Sequence, residues 1–214
     1  QIDGDTDDNH QLELFDYWWA WEFGELSTFQ MGKRKVPAVR QWLLSSSDTR
    51  LIDRPMAADF LRPDRSVGLF SNGKLAERVH YQAMAGNGFR AANLAPGQLD
   101  TRFTFAATSY WDPLGDFGRQ IVDYDNTAQT LARFGHSCVY SPQGDADLGA
   151  PLGEADYLRL TDGTRVTEKG ALGPGVTVSE YTLWLYGVDL AAKWRGWSVD
   201  AEVFFRWIED IEGD

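Results

Sequence analysis

Two carboxylates, Asp200 and Glu202, stand two positions apart in a segment where polar and apolar residues alternate. On a β-strand they would share one face about 7 Å apart, a distance at which paired carboxylates can hydrolyse a glycosidic bond. The same face would carry Asp189, Lys193 and Arg206. The pattern therefore favours a charged wall, and a carbohydrate-active enzyme using Asp200 and Glu202 stays the less favoured alternative.

Other residues capable of chemistry lack the spacing of an enzyme or metal motif. The 3 histidines are scattered, and the single cysteine, Cys138, allows no internal disulfide. Asp3, Asp5 and Asp7 alternate as in the opening of a calcium loop, but Leu14 stands where that loop needs its last carboxylate. We therefore predict no enzyme activity and no cofactor, with calcium at these three aspartates a minor alternative.

The bulk composition narrows the class of protein. Of 214 residues 43% are hydrophobic, yet no apolar run approaches the eighteen or more residues that a membrane-spanning helix needs. The formal net charge of −12 argues against a nucleic-acid partner, because phosphate binding needs a basic surface. No internal boundary is visible, so residues 1–214 are predicted to form a single domain, with a basic inserted segment at about 36–65.

The most regular pattern is a hairpin near the end of the chain. Residues 184–194 and 197–207 flank Arg195 and Gly196, which have the length of a common two-residue turn. Because side chains alternate along a strand, every second residue of the hairpin lies on the same face, where it is opposite a residue of the other strand. The pairs are Trp194 with Trp197, Ala192 with Val199, Leu190 with Ala201, Val188 with Val203, Tyr186 with Phe205, and Trp184 with Trp207.

That face has aromatic residues at both ends and aliphatic residues between them, which is typical of a transmembrane barrel strand. Eleven residues rising about 3.3 Å each span about 36 Å, and a tilt of about 45° reduces this to the ~25 Å apolar band. A β-sandwich strand with one buried face, in a surface-binding or structural module, is the alternative. The predicted lipid-facing girdle is Trp184, Tyr186, Trp194, Trp197, Phe205 and Trp207.

Further strands are expected along the rest of the chain. Strands at 12–22 and 26–35, around a three-residue turn, would pair Trp19 with Phe29 and Tyr17 with Met31. The Gly- and Asp-rich stretch 143–175 suits an extracellular loop. The remaining strands are predicted at 66–73, 78–86, 100–111 and 131–141.

The segment 36–65, called the basic segment below, breaks this periodicity. Pro37, Pro55 and Pro63 interrupt it, and a loop of this length in a compact fold is usually functional or disordered. Apolar residues such as Trp42 and Phe60 argue against disorder. We therefore predict an ordered excursion with a functional role.

Several short motifs together resemble the phosphate-selective porin family of the O and P type. They agree with that family in order and spacing over most of the chain, most strongly from about residue 32 to residue 88. The motifs are GKRKVP at 32–37, SSS at 45–47, IDRP at 52–55, DRSVG at 64–68, YQAMAGNG at 81–88, WDPLG at 111–115 and GVDLAAK at 187–193.

The resemblance implies an all-β, antiparallel transmembrane β-barrel of sixteen strands in the Gram-negative outer membrane, commonly a homotrimer. It also implies passive diffusion of small hydrophilic solutes, including anions such as phosphate. This chain offers too few strand candidates for such a barrel, so we expect a fragment or an incomplete barrel.

In such a channel, rings of Arg or Lys at a constriction favour anions, because a partly dehydrated ion needs compensating charge. The candidates for this role are Arg34, Arg40, Arg50, Arg54, Arg62, Arg65, Arg102 and Arg206. Asp189, Asp200 and Glu202 are the acidic candidates for another sector of the lumen.

Overall fold

The computed structural model describes residues 14–24, 26–51, 53–90, 100, 102–144 and 157–213. They form an all-β protein with one eight-stranded antiparallel sheet, in which each strand pairs with the next along the chain. The strands are β1 (Tyr17–Phe23), β2 (Ser27–Lys35), β3 (Arg65–Ala76), β4 (Val79–Asn87), β5 (Phe103–Trp111), β6 (Leu131–Gln143), β7 (Val178–Trp194) and β8 (Trp197–Gly213). Two short helices, α1 (Arg40–Leu43) and α2 (Met56–Leu61), lie in the basic segment.

The alternation of side chains gives the sheet two different faces. The outer face carries Trp194 and Trp197, which are 46% and 73% exposed, with Leu190 and Val203 between the girdles at 43% and 54%. The inner face carries Asp189, on the side that the basic segment covers. No described element packs over the outer girdle and aliphatic residues.

The predicted terminal hairpin is confirmed in register. Trp194 pairs with Trp197, Val188 with Val203, and the other four predicted pairs also form. Arg195 and Gly196 both have positive φ, 46° and 80°, as expected of a two-residue turn matching the strand twist. Both strands are longer than predicted, at 17 residues each, and continue beyond the second aromatic girdle.

The register predicted for the first hairpin is wrong by two residues. Trp19 pairs with Met31 and not with Phe29, while Tyr17 pairs with Lys33. Phe23 is opposite Ser27, so the loop is one position later than predicted. A shift of two preserves the face of every side chain, because the pleat repeats every two residues. The remaining predicted strands are confirmed, with boundaries that differ by at most three residues.

The basic segment folds back onto the inner face. Val36, Ala38 and Val39 are fully buried there, and Trp42 is nearly so. They join Phe70 and Leu185 of the sheet in the hydrophobic core. Val39 has φ 59°, which is unusual for a β-branched residue, so the surrounding packing must hold this backbone in place.

The sheet is open: β1 pairs only with β2, and β8 pairs only with β7, among the described residues. Connections at one end are short between β1 and β2, β3 and β4, and β7 and β8. The β5–β6 connection, residues 112–130, lies at this same end and is long. The three connections at the opposite end, including the basic segment, are all long. No helix in the described parts of the chain is long and apolar enough to cross a bilayer.

Candidate functional site

A cavity of about 870 Å³, called the inner cavity below, lies between the inner face, the basic segment and the β5–β6 connection. Cross-strand pairing places Lys74, His80 and Tyr110 side by side on its wall. The same row continues through Gly135 to Asp189. A Cβ at Gly135 would lie 2.1 Å from Asp189 Oδ2, so glycine here leaves the space that this carboxylate occupies.

Both signs of charge line the inner cavity. The cations are Arg34, Arg40, Lys74, Arg78, Arg119 and Arg133, and the carboxylates are Asp48, Glu77, Asp112, Asp116 and Asp189. Local charge is therefore mixed along this wall, although the whole chain has a formal net charge of −12.

Two of these cations are paired with carboxylates. Arg133 donates Nε and NH2 to the two oxygens of Asp112 (2.7 and 2.6 Å), and both side chains are largely buried. Arg40 NH1 lies 3.6 Å from Asp189 Oδ1. Burial lowers the pKa of Arg40, and the charge of Asp189 opposes that shift. Arg34, Lys74, Arg78 and Arg119 form no ion pair with any described residue, and neither do the lining carboxylates Asp48, Glu77 and Asp116.

Aromatic rings stiffen one side of the inner cavity. His80 and Tyr110 stack with centroids 4.8 Å apart, and the Arg133 guanidinium lies 4.1 Å from the Tyr110 ring centroid. Phe117 of the β5–β6 connection contacts Arg133 from another side, at 5.1 Å. Lys193 Nζ donates to the Phe117 carbonyl (3.0 Å). These contacts hold the Arg133 guanidinium against the sheet and bind the β5–β6 connection to it.

A second cavity of about 290 Å³, called the side cavity below, runs between β1–β4 and the basic segment. It shares Arg34, Leu43, Ser45 and Gln82 with the inner cavity, so the two adjoin at these residues. The two cavities are therefore neighbours along the inner face, and Arg34 lines both.

The basic segment is bound to β8, the last strand of the sheet, through the carboxylates of Asp200 and Glu202. The Arg40 and Gln41 backbone N–H groups donate to Glu202 Oε1 and Oε2 (2.5 and 3.3 Å). Asp200 accepts from Gln41 Nε2 (2.5 Å) and from Arg50 NH2 (2.6 Å). Both carboxylates suggested as a glycosidase pair are thus engaged in anchoring this segment.

A separate group of cations surrounds the buried Trp42 ring. The charged atoms of Lys35, Arg54, Arg62 and Arg65 lie 4.7, 5.1, 4.2 and 5.3 Å from its centroid. Burial, followed by repulsion from Arg62, lowers the pKa of Arg54. Arg54 also donates to two carbonyl groups of its own segment. These contacts organise the basic segment.

The structure thus separates the eight arginines predicted for anion selectivity. Arg34 and Arg40 line the inner cavity. Arg102 pairs with Glu180 (2.5 Å), and Arg206 lies 5.1 Å from the Phe60 ring. The remaining four, Arg50, Arg54, Arg62 and Arg65, make the contacts with Asp200 or Trp42 described above and lie outside the lining of both cavities.

Sequence reasoning missed four cations of the inner cavity, Lys74, Arg78, Arg119 and Arg133. Period-two alternation carried a signal for Arg133, since Phe134 and Cys138 on the same strand fall on the opposite face. Arg119 lies in the β5–β6 connection, where no periodicity applies. The predicted calcium residues Asp3, Asp5 and Asp7 lie outside the described residues, within which no group of three potential metal-ligating side chains occurs.

Comparison with protein-family models, curated proteins and solved structures finds no match to this chain.

Proposed function

We propose that this sheet forms part of the wall of an antiparallel transmembrane β-barrel in the Gram-negative outer membrane. The channel allows passive diffusion of small hydrophilic solutes, with a preference for small anions. The observation that carries the proposal is an exposed apolar outer face on a sheet whose inner face holds charged, open cavities.

The outer face supports a lipid environment. Monomeric soluble proteins rarely expose contiguous apolar patches larger than a few hundred Å². Here the outward positions of β5, of 184–194 and of 197–207 carry no charged residue. Outward polar groups bond to one another: Ser71 Oγ with Tyr81 Oη, and Ser109 Oγ with His136 Nε2, each at 2.9 Å. Such internal pairing is what hydrocarbon requires, because lipid tails offer no hydrogen bonds.

The topology supports a barrel wall. Neighbouring antiparallel strands with short turns at one end and long connections at the other are typical of outer-membrane barrels. Here six of the seven connections follow this pattern, and 112–130 is the exception. Further strands between β8 and β1, as in the sixteen-stranded and commonly homotrimeric barrel that the resemblance implies, would close the sheet. Closure would also remove the two open edges, which otherwise invite aggregation.

The inner face supports a solute route. The basic segment narrows the space over the sheet without filling it, and the two cavities adjoin beside Arg34. Arg34 and Lys74, which form no ion pair with a described residue, provide the positive charge that a partly dehydrated anion needs.

Ion conductance of the full-length protein in planar bilayers tests the proposal. We expect stable channels whose reversal potential in a KCl gradient indicates anion preference. The double variant R34Q/K74Q should shift that potential toward cation preference. The double variant R54Q/R62Q, which removes two cations from the Trp42 group, should shift it less.

Absence of conductance, or an unchanged reversal potential in R34Q/K74Q, would contradict the proposal. A matched folding control is available for both pairs of substitutions, because an outer-membrane barrel migrates differently in gel electrophoresis before and after heating. Retained heat-dependent migration separates a loss of selectivity from a loss of fold.

A further inference from the structure

Arg34 occupies an unusual position between two aromatic rings. Its guanidinium carbon lies 5.0 Å from the Trp18 ring centroid and 5.8 Å from the Phe70 centroid. No carboxylate of the described residues forms an ion pair with it, and no described residue forms a hydrogen bond with its side chain. Aromatic rings stack on the flat faces of a guanidinium, whereas its N–H donors lie in the plane of the group and extend from its edge. Donors remain available to a ligand in the adjoining cavities.

The other charged groups of the side cavity are already engaged. Asp16 accepts both Arg65 Nε and Arg65 NH2 (3.1 and 3.3 Å). Lys35 Nζ donates to the carbonyl groups of Trp42 and Leu44 (2.9 and 3.1 Å). Arg34 is therefore the cation of the described side-cavity lining whose side chain forms no hydrogen bond with the protein, and the charge of Asp16 acts on it from the same lining.

The remaining walls of the side cavity combine apolar surface with amides. Pro37 and Leu43 come from the basic segment and Phe70 from β3, while Asn72 and Gln82 provide amide groups. The volume of about 290 Å³ is at the lower end of small-molecule sites, which run from about 300 to 1,000 Å³. These walls are about as polar as apolar, so they fit a small ligand with one charged end and a body that contacts both apolar side chains and amides.

We infer that the side cavity binds a small organic monoanion, a carboxylate with an aromatic or aliphatic body. Its carboxylate accepts from the Arg34 edge, and its body lies against Leu43 and Phe70. A hydrated inorganic dianion fits less well, since one guanidinium, with the Asp16 carboxylate in the same lining, does not replace its hydration shell. The inference rests on the proposed channel function and specifies its substrate class.

Benzoate is a suitable probe, with inorganic phosphate as the competing anion. The full-length protein in planar bilayers should show a saturable fall in single-channel current as potassium benzoate is added to a KCl background. Calorimetry on the detergent-solubilised protein should give the same apparent affinity. Phosphate should bind at least about tenfold more weakly, a difference of about 1.4 kcal/mol.

Substitutions at Arg34 provide the specific test. R34Q should weaken benzoate binding at least tenfold, and R34K should weaken it less, because lysine keeps the charge and loses the planar pair of donors. K169Q removes an exposed cation of the β6–β7 connection, far along the chain from either cavity lining, and should change benzoate affinity less than twofold. R34K also covers the case in which R34Q fails to fold.

The outcomes separate the inference from the channel proposal. Conductance without benzoate titration, equal affinities for benzoate and phosphate, or equal effects of R34Q and K169Q would overturn the inference and leave the channel. Calorimetric binding that depends on Arg34, in a protein that does not conduct, would uphold the binding site and overturn the channel.

Discussion

The outer and inner faces of the sheet differ in composition and in what covers them. Trp197 and Val199 on the outer face are 73% and 62% exposed, whereas Asp189 and Lys193 on the inner face are 8% and 7% exposed. In a water-soluble sheet the apolar face is normally the covered one. Here the long connections cover the charged face and leave the apolar face open. This distribution agrees with the proposed position of the outer face against lipid.

The largest effect is expected on the inner face, where Asp112 and Arg133 form a buried bidentate pair. D112N leaves the Arg133 guanidinium buried without a carboxylate, which should lower the free energy of unfolding by about 3–5 kcal/mol. Urea unfolding of the protein in lipid vesicles measures it. The control D116N makes the same charge change at an exposed carboxylate and should change stability by about 0.5 kcal/mol or less. Equal losses in both variants would show that burial of the pair is unimportant.

The next effect sharpens the assignment of the outer face. Val188 lies midway between the two girdles, so V188R should cost about 2–4 kcal/mol if that position meets hydrocarbon. A192R, beside the Trp194 girdle, should cost only about 0–1 kcal/mol. The same unfolding experiment in vesicles compares them. A lipid-facing outer surface is ruled out if the two arginines cost the same.

The smallest effect concerns the end of the sheet with the short turns. Asp123 accepts hydrogen bonds from Thr127 Oγ1 (2.6 Å), from the Thr127 backbone N–H and from the Gly196 N–H (2.8 Å). The Thr127 hydroxyl bond is the main cause that lowers the pKa of Asp123 below its usual value. Since the folded pKa is below the unfolded one, this stabilisation is present above the unfolded pKa and is lost as pH falls through the lowered value.

D123N should therefore show a smaller fall in unfolding free energy between neutral pH and about pH 3 than the unsubstituted protein. D125N, which neutralises an exposed carboxylate two positions away, should keep the original pH dependence. Chemical unfolding at a series of pH values measures both. Identical pH profiles for D123N and the unsubstituted protein would show that Asp123 does not contribute to the pH dependence of stability.

The two predicted hairpins show how far local pattern determines register. For the last hairpin, only a two-residue turn at Arg195 and Gly196 places six aromatic or aliphatic pairs opposite one another, and that register is correct. For the first hairpin, β1 (Tyr17–Phe23) has aromatic residues at nearly every position. A three-residue loop at either of two neighbouring positions therefore places apolar residues opposite one another. A slip by two satisfies the same alternation, so the faces could be predicted and the register could not.

The candidate site was less predictable than the strands. The abundance of arginine in the basic segment indicated where selectivity could lie, but most of these residues surround Trp42 or pair with carboxylates. Of the predicted arginines, Arg34 and Arg40 line the inner cavity, together with Lys74 and Arg133, which the motifs did not single out. Composition identifies cations, whereas their partners depend on which surfaces meet.

Alternation along the strands determined the all-β class, the two faces of the sheet and the aromatic girdles of the last hairpin, because side-chain direction in a strand is a local property with a period of two. The tertiary structure alone decided that the basic segment crosses the inner face and where the cavities lie. The contact between Arg40 and Glu202, 162 residues apart, illustrates the reason. Such a contact depends on the folding of everything between its partners, and no local pattern encodes it.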